Sequence, residues 1–320
     1  MYPSYLNLYH DGILAKITGR FFSMLGSCVL CPRKCKVNRL HGENGMCRTA
    51  LNPKVYSYMV HHGEEPPISG SNGSGTIFFS NCTMGCVYCQ NYEFSQLGGG
   101  REVDCEELAG FMLELQSLQC HNINFVTPTH VIPQILKALL IAIPKGLKIP
   151  LVYNTGGYER SEVIKLLEGI VDIYLPDMRY ADANMARTYS CVEDYPGYNQ
   201  EAVKEMYRQV GRAVFDGQGI LTRGMIIRHL VLPGSVSGTE EVMRFIAKEL
   251  SKESYISLMS QYNPYYKSAQ LPQYKDIARR LSIAEYQSAQ QVMEKLGLEN
   301  GWVQESRGLE KLAGIHIKPR

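Results

Sequence analysis

The chain has 320 residues, 45% hydrophobic and 20% charged, with a formal net charge of +2. That balance suits a folded protein with one large domain and an appendage, and it excludes a strong electrostatic field. Nucleic acid and an acidic membrane surface are therefore not indicated as partners.

The N-terminus, MYPSYLNLYHDGILAK, has no basic segment followed by an apolar one, so no signal peptide is expected. Ten cysteines without a secretion signal point to the reducing cytoplasm, where clustered thiols bind metal more often than they form disulfides. Residues 1–70 show no clear period and are expected to form an N-terminal, cysteine-rich, metal-binding segment. Cys28, Cys31, Cys35 and Cys47 make a closed set of four thiolates, with Pro32 and Gly45 as turn residues around them. Structural zinc fits, an auxiliary 4Fe-4S cluster fits equally, and a reduced, metal-free small core is the third reading.

From residue 76 the pattern changes to apolar runs alternating with amphipathic segments. The runs are GTIFFS (75–80), NINFVTP (122–128), IPLVYNT (149–155), VDIYLPD (171–177), MIIRHLVLPG (225–234) and YISLMSQY (255–262). Helix-like stretches lie between them. Ser161 with Glu162 and Thr239 with Glu240 mark helix starts, and a last helix is expected over about 276–296. VIPQILKALLIAIPKGLKIPLVY is broken by prolines and lysines and reads as helix plus strand, not as a membrane span. Strand and helix in alternation predict parallel strands with crossover helices. Six units are too few for a closed eight-fold barrel, so the predicted fold is α/β, an open, partial (β/α)6 barrel over residues 71–265. A C-terminal helical extension over 266–320 completes the chain.

In such barrels the chemistry sits at the C-terminal strand ends. SNCTMGCVYCQN comes directly after the first run and places Cys82, Cys86 and Cys89 within eight positions. The spacing is also that of a helical stripe, but Gly85 and the turn residues Asn81 and Thr83 favour a tight loop. Three soft ligands without a fourth suggest an iron–sulfur centre with one open iron. A closed zinc or purely electron-transfer site is the alternative.

Cys-x3-Cys-x2-Cys after the first strand of a partial barrel, with Tyr88 just before the last cysteine, resembles the radical S-adenosylmethionine (SAM) enzymes. CVLCPRKCKVNRLHGENGMC, HHGEEPPISG, GSGTIFFSNC, CQNYEFSQ, NINFVTPTHVIP, VDIYLPDMRY and RHLVLPG together resemble the stand-alone homologues of pyruvate formate-lyase activating enzyme, over residues 26–296. The resemblance implies a 4Fe-4S cluster on Cys82, Cys86 and Cys89, SAM on its open iron, and hydrogen abstraction by a 5′-deoxyadenosyl radical. It also implies a reductant such as flavodoxin or ferredoxin, and a glycyl-radical enzyme as partner. A small molecule, RNA or peptide is the other substrate reading, and a metal-binding or electron-transfer protein without SAM turnover is the reading from a different class.

By the same resemblance, Asn154 and Thr155 in YNTGGY lie beside the SAM methionyl group, near a monovalent-cation position where Asn154 replaces an aspartate. Asp177 and Arg179 in LPDMR become pocket residues, Arg179 standing where lysine is usual. Arg228 either faces SAM or forms a barrel salt bridge with Asp177. TPTH replaces the family's Gly-Gly-Glu, so Thr127, Thr129 and His130 are the candidates for the SAM amino group, His130 being otherwise a routine hydrogen-bonded histidine. Glu64 and Glu65 are read as surface carboxylates ahead of substrate contacts. Gly98, Gly99 and Gly100 are read as a flexible loop, and the tyrosines of QYNPYYKSAQLPQY as half-buried packing residues.

Overall fold

The computed structural model describes residues 2–303; the end of the expected C-terminal extension, 304–320, lies outside the described residues. Among the described residues, ten strands form one sheet system: β1 (Lys54–His61), β2 (Ser74–Phe79), β3 (Arg101–Glu102), β4 (Ile123–Val126), β5 (Leu151–Thr155), β6 (Ile173–Pro176), β7 (Val214–Phe215), β8 (Leu221–Leu230), β9 (Tyr255–Met259) and β10 (Gly301–Val303). The order along the sheet is β10-β9-β8-β6-β5-β4-β2-β1-β3, with β7 paired to β8 beside this path. Neighbours among β2, β4, β5, β6, β8 and β9 are parallel. These are the six apolar runs, and the sheet is open: an α/β, partial (β/α)6 barrel.

Each of these strands is largely buried on both faces because both are covered. Outward residues such as Ile77, Phe79, Ile123, Phe125, Leu151, Tyr153, Ile227, Ile256 and Leu258 join the helices in the main core. Inward residues Val152, Ile173, Leu175, Leu221 and Ile226 close on Ile68. Ile68 belongs to a one-turn helix, Pro66–Ser69, begun by prolines whose fixed φ suits a helix start. β1 runs antiparallel to β2 and pairs His61 with Ser74, so the chain after β1 arrives at the N-terminal ends of the barrel strands. There Ile68, fully buried, plugs the floor; burial of such a side chain contributes about 2 kcal/mol.

The helix Cys105–Ser117 starts where the Asp104 carboxylate accepts the Glu107 N–H at 2.8 Å. Helices begin at Ser161 and Thr239 as their sequence signals predict. Three local readings change. Residues 1–70 are not irregular throughout: they hold the helices Tyr5–His10 and Ile13–Ser23, the latter burying Leu14, Thr18 and Phe21 along one face, and they supply β1 to the sheet. The last helix spans Ile283–Leu296 and starts late because Ser282 and Glu285 form a reciprocal capping box, after a 3-10 stretch at Pro272–Ile277. The glycine loop is a packed turn: the Lys54 ammonium and the Ser80 hydroxyl donate to the Gly98 and Gly99 carbonyls. A Cβ on Gly100, whose φ is 108°, would lie 2.6 Å from the Ser80 Oγ.

Candidate functional site

The segment 80–91 leaves β2 as a non-helical loop, with Asn81 in the left-handed region at φ 70°. The loop carries its own hydrogen-bond donors to sulfur. The Met84 N–H points to the Cys82 Sγ at 3.4 Å, and the Ser190 hydroxyl donates to the Cys86 Sγ at 2.9 Å. Ser95 Oγ lies 3.1 Å from the Cys89 Sγ. Burial pushes the Cys82 thiol up to about 12 and the Cys89 thiol up to about 11; the neighbouring thiols act in the same direction, and the Arg179 guanidinium opposes them. Burial also raises the Cys86 thiol, again against Arg179. The three sulfurs and Arg179 thus form one electrostatic group. Arg179 Nε is buried without a hydrogen-bond partner. Such a set suits an anionic, thiolate-bound centre, because buried cations and sulfur-directed donors favour thiolates.

Behind the loop runs a chain of hydroxyls. Tyr88 and Tyr180 are 2.6 Å apart, and Tyr180 and Ser190 2.7 Å. With the Ser190 proton on sulfur, Tyr180 donates to Ser190 and Tyr88 to Tyr180. Sequence reading found only Tyr88 in this chain. Ser190 lies 104 positions from Cys86, and no local pattern signals that contact.

The strand ends bring several predicted residues together. Arg228 donates through Nε to Asp177 at 2.8 Å and through Nη2 to the Asn154 Oδ1 at 2.7 Å. Arg179 donates to the other Asp177 oxygen. Arg228 Nη1 also lies 3.6 Å from Glu64, whose Oε1 accepts from the side-chain amides of Asn124 and Asn154. The barrel salt bridge between Arg228 and Asp177 is therefore present, and it extends to the floor. Glu64 and Glu65 are not surface carboxylates: both side chains are buried, and burial raises the Glu65 carboxyl to about 7 against the pull of Arg228. The Pro66–Ser69 turn aims them inward, a consequence of β1 running back to the floor.

Above this network lies a cleft of about 170 Å³, lined among others by Tyr88, Cys89, Asp177, Arg179, Arg228 and Tyr262. A larger apolar cleft of about 440 Å³ lies away from the cysteines, between β1 and the helix Cys105–Ser117. Charged and sulfur-bearing groups converge on the smaller one, and that decides where chemistry is possible. Tyr262 meets Tyr88 edge-on at 5.7 Å, and its hydroxyl donates to the Ile277 carbonyl at 2.6 Å. Thr127, just after β4, has φ 61°, a strained conformation for a β-branched residue. Its N–H donates to the Asn154 carbonyl.

Other predicted residues are directed elsewhere. Thr129 and Thr155 both donate to Glu159, fully buried on the helix-covered side of the strands. Thr155 shares the outward face with Tyr153, one position out of step with inward Asn154. His130 Nε2 is 2.9 Å from the Ser80 carbonyl, and burial lowers its imidazole to about 4, leaving it neutral. It secures the strand end from which the cysteine loop departs.

The four N-terminal cysteines gather on a separate loop. Cys28, Cys31 and Cys47 are buried and Cys35 is exposed. Among the described residues, no three His, Cys, Asp or Glu side chains are drawn in as tightly as the ligands of a single ion. Also among the described residues, no helix is long and apolar enough to cross a membrane.

A model of the Radical SAM superfamily matches residues 76–246. Over 283 residues the chain is 32% identical to an uncharacterised protein of Methanocaldococcus jannaschii, covering 85% of this chain and 76% of that one. Among solved structures, it is similar to HydG, a maturase of the FeFe-hydrogenase, with a TM-score of 0.48 and 10% identity, over 75% of this chain and 53% of that chain.

Proposed function

This chain belongs to the radical SAM superfamily, and from that premise we propose that Cys82, Cys86 and Cys89 hold its 4Fe-4S cluster and that the cleft beside them takes SAM. Bound there, the pair supplies one-electron cleavage of a sulfonium and a carbon radical for hydrogen abstraction. The observation that carries the reading is the joint environment of the three sulfurs. Met84, Ser190 and Ser95 offer hydrogen-bond donors to them, and one cation, Arg179, serves all three.

The chain's own residues divide the remaining work. Arg179 is held by Asp177, and its Nε is left for a ligand carboxylate. Arg228 is held from below by Glu64 and from the side by Asp177 and Asn154, so it enters the cleft already oriented. Tyr88 and Tyr262 give the cleft an aromatic wall suited to a purine. Thr127, strained just after β4, is the remaining candidate of the TPTH segment for the SAM amino group, since Thr129 is committed to Glu159 and His130 to the Ser80 carbonyl.

For the substrate, we favour the backbone of a partner protein, with a glycyl radical as product and flavodoxin or ferredoxin as reductant. The motifs shared with the activating enzymes support that choice. The test is anaerobic reconstitution with iron and sulfide, then turnover with SAM and dithionite. The expected result is about four irons on the triad and release of 5′-deoxyadenosine, both abolished by Cys82→Ala, Cys86→Ala or Cys89→Ala. A triad variant that still cleaves SAM overturns the assignment. A glycyl-radical signal on a co-encoded partner, seen by electron paramagnetic resonance, then tests the substrate class.

A further inference from the structure

Arg39 is 1% exposed, deep behind the N-terminal cysteines. Its Nε donates to the Ala50 carbonyl at 3.0 Å and its Nη1 to the His130 carbonyl at 2.9 Å. The same Nη1 lies 3.9 Å from the Cys28 Sγ. Nη2 is buried with no hydrogen-bond partner, and no carboxylate pairs with Arg39 among the described residues. Two carbonyl dipoles do not neutralise a buried guanidinium, so the fold leaves a positive charge waiting for an anion.

Glu43, the nearest carboxylate in the chain, is exposed and accepts from the Asn38 N–H. The acidic groups left for Arg39 are thiols, and the loop is shaped to gather them. The Cys28 N–H donates to the Val37 carbonyl and the Lys36 N–H to the Cys28 carbonyl, both at 2.9 Å. The Lys34 N–H donates to the Cys31 carbonyl at 3.1 Å. These knuckle turns require left-handed backbone at Lys34 and Lys36, with φ 43° and 58°. A matching turn at the far cysteine joins the Arg48 N–H to the Gly45 carbonyl at 2.9 Å. The two turns meet sulfur to backbone: a Cβ on Gly45 would sit 2.8 Å from the Cys35 Sγ, so only glycine lets them close.

We propose that Cys28, Cys31, Cys35 and Cys47 form a second metal centre of tetrathiolate type, with Arg39 as its buried counter-cation. Four thiolates around Zn²⁺ carry a net charge of about −2, and so do four thiolates around an oxidised four-iron cluster. Either supplies the anion that Arg39 lacks, and binding draws the thiols inward from their present spacing. The centre does not stand apart from the triad. Arg33, between Cys31 and Cys35, donates through Nε to the Thr83 carbonyl at 3.0 Å and through Nη2 to the Cys191 carbonyl at 2.7 Å. Metal in the first loop therefore fixes the segment that clamps the second.

The test uses the full chain with Cys82, Cys86 and Cys89 all changed to Ser, so that loss of the triad reading leaves it intact. The protein is prepared in two arms, zinc-supplemented in air and iron-replete without oxygen, and its metal content is measured by mass spectrometry. We expect about one zinc or about four irons per chain, the arm that fills naming the metal. Adding Cys28→Ser or Cys47→Ser to that chain removes it. Arg39→Leu lowers affinity in chelator competition by roughly 10–100-fold, and Arg39→Lys restores most of it. A folded triad-free chain, checked by circular dichroism, that holds no stoichiometric metal in either arm overturns the proposal. Unchanged affinity in a folded Arg39→Leu chain overturns the role of Arg39. If that variant does not fold, Arg39→Lys decides: metal retained at near-parental affinity supports the counter-cation, and metal lost overturns it.

Discussion

Glu159 shows how a single buried carboxyl ties local chemistry to stability. It is fully buried, takes both threonine hydroxyls, and burial raises its pKa from 4.5 to about 7. The stability it contributes is fully present below about pH 4.5 and is lost as pH rises through about 7. Glu159→Gln keeps the acceptor oxygen and removes the charge. It should therefore stabilise the protein by about 3 kcal/mol at pH 8 relative to wild type, with most of that difference gone by pH 5, as read by denaturant unfolding. A difference independent of pH would mean that the carboxyl is not held neutral. Individual residues were legible from sequence where chemistry is local. The spacing of Cys82, Cys86 and Cys89 needed only a motif, the positions of Asp177 and Arg179 past a strand end needed a strand count, and Arg228 lies inside its apolar strand as read. Ser190 and Tyr180 were not legible, because they reach Cys86 and Tyr88 across 104 and 92 positions, and neither Glu159 nor Arg39 belongs to a motif that marks it as buried. Thr155 lies one step of strand alternation from inward Asn154, on the other face of the sheet, and Thr129, beyond the end of β4, turns to the same Glu159.

At the scale of elements, the turn after β5 carries the tightest geometric demand near the site. Gly157 has φ 78°, and a Cβ there would lie 2.2 Å from both the Asn199 amide nitrogen and the Asp177 carbonyl. Asn199 donates to the carbonyls of Gly157 and Asp177, so the turn, the helix Tyr195–Val210 and the end of β6 form one unit. Gly157→Ala is expected to cost more than about 2 kcal/mol and to displace Asp177 from Arg228. Calorimetry reads the first effect, and SAM affinity in the reconstituted enzyme the second. A variant as stable as wild type would show that the turn can relax. The six parallel strands were legible as apolar runs. β1 was not, since KVYSYMVH sits at the margin of the sheet and only partly buries its side chains, which dilutes its alternation.

The whole molecule is an open sheet, and both of its margins are managed. β3 pairs with part of β1 at one end, and β10 covers β9 at the other, with the Ile283–Leu296 helix anchored by the Tyr286 hydroxyl on the Leu258 carbonyl. Removing everything after Leu281 should bare the β9 edge and lead to association, visible as a concentration-dependent rise in mass by light scattering. A monomeric, folded truncation would show that the barrel does not need this cover.

The sealed floor also governs charge. Ile68 and the two buried glutamates close the N-terminal end of the strands, while the cleft among the described residues lies on the side of the cysteine loop. Any ligand of the barrel therefore meets Arg228 with Glu64 already behind it, so charge at the bottom of the cleft is set by the fold and not by the ligand.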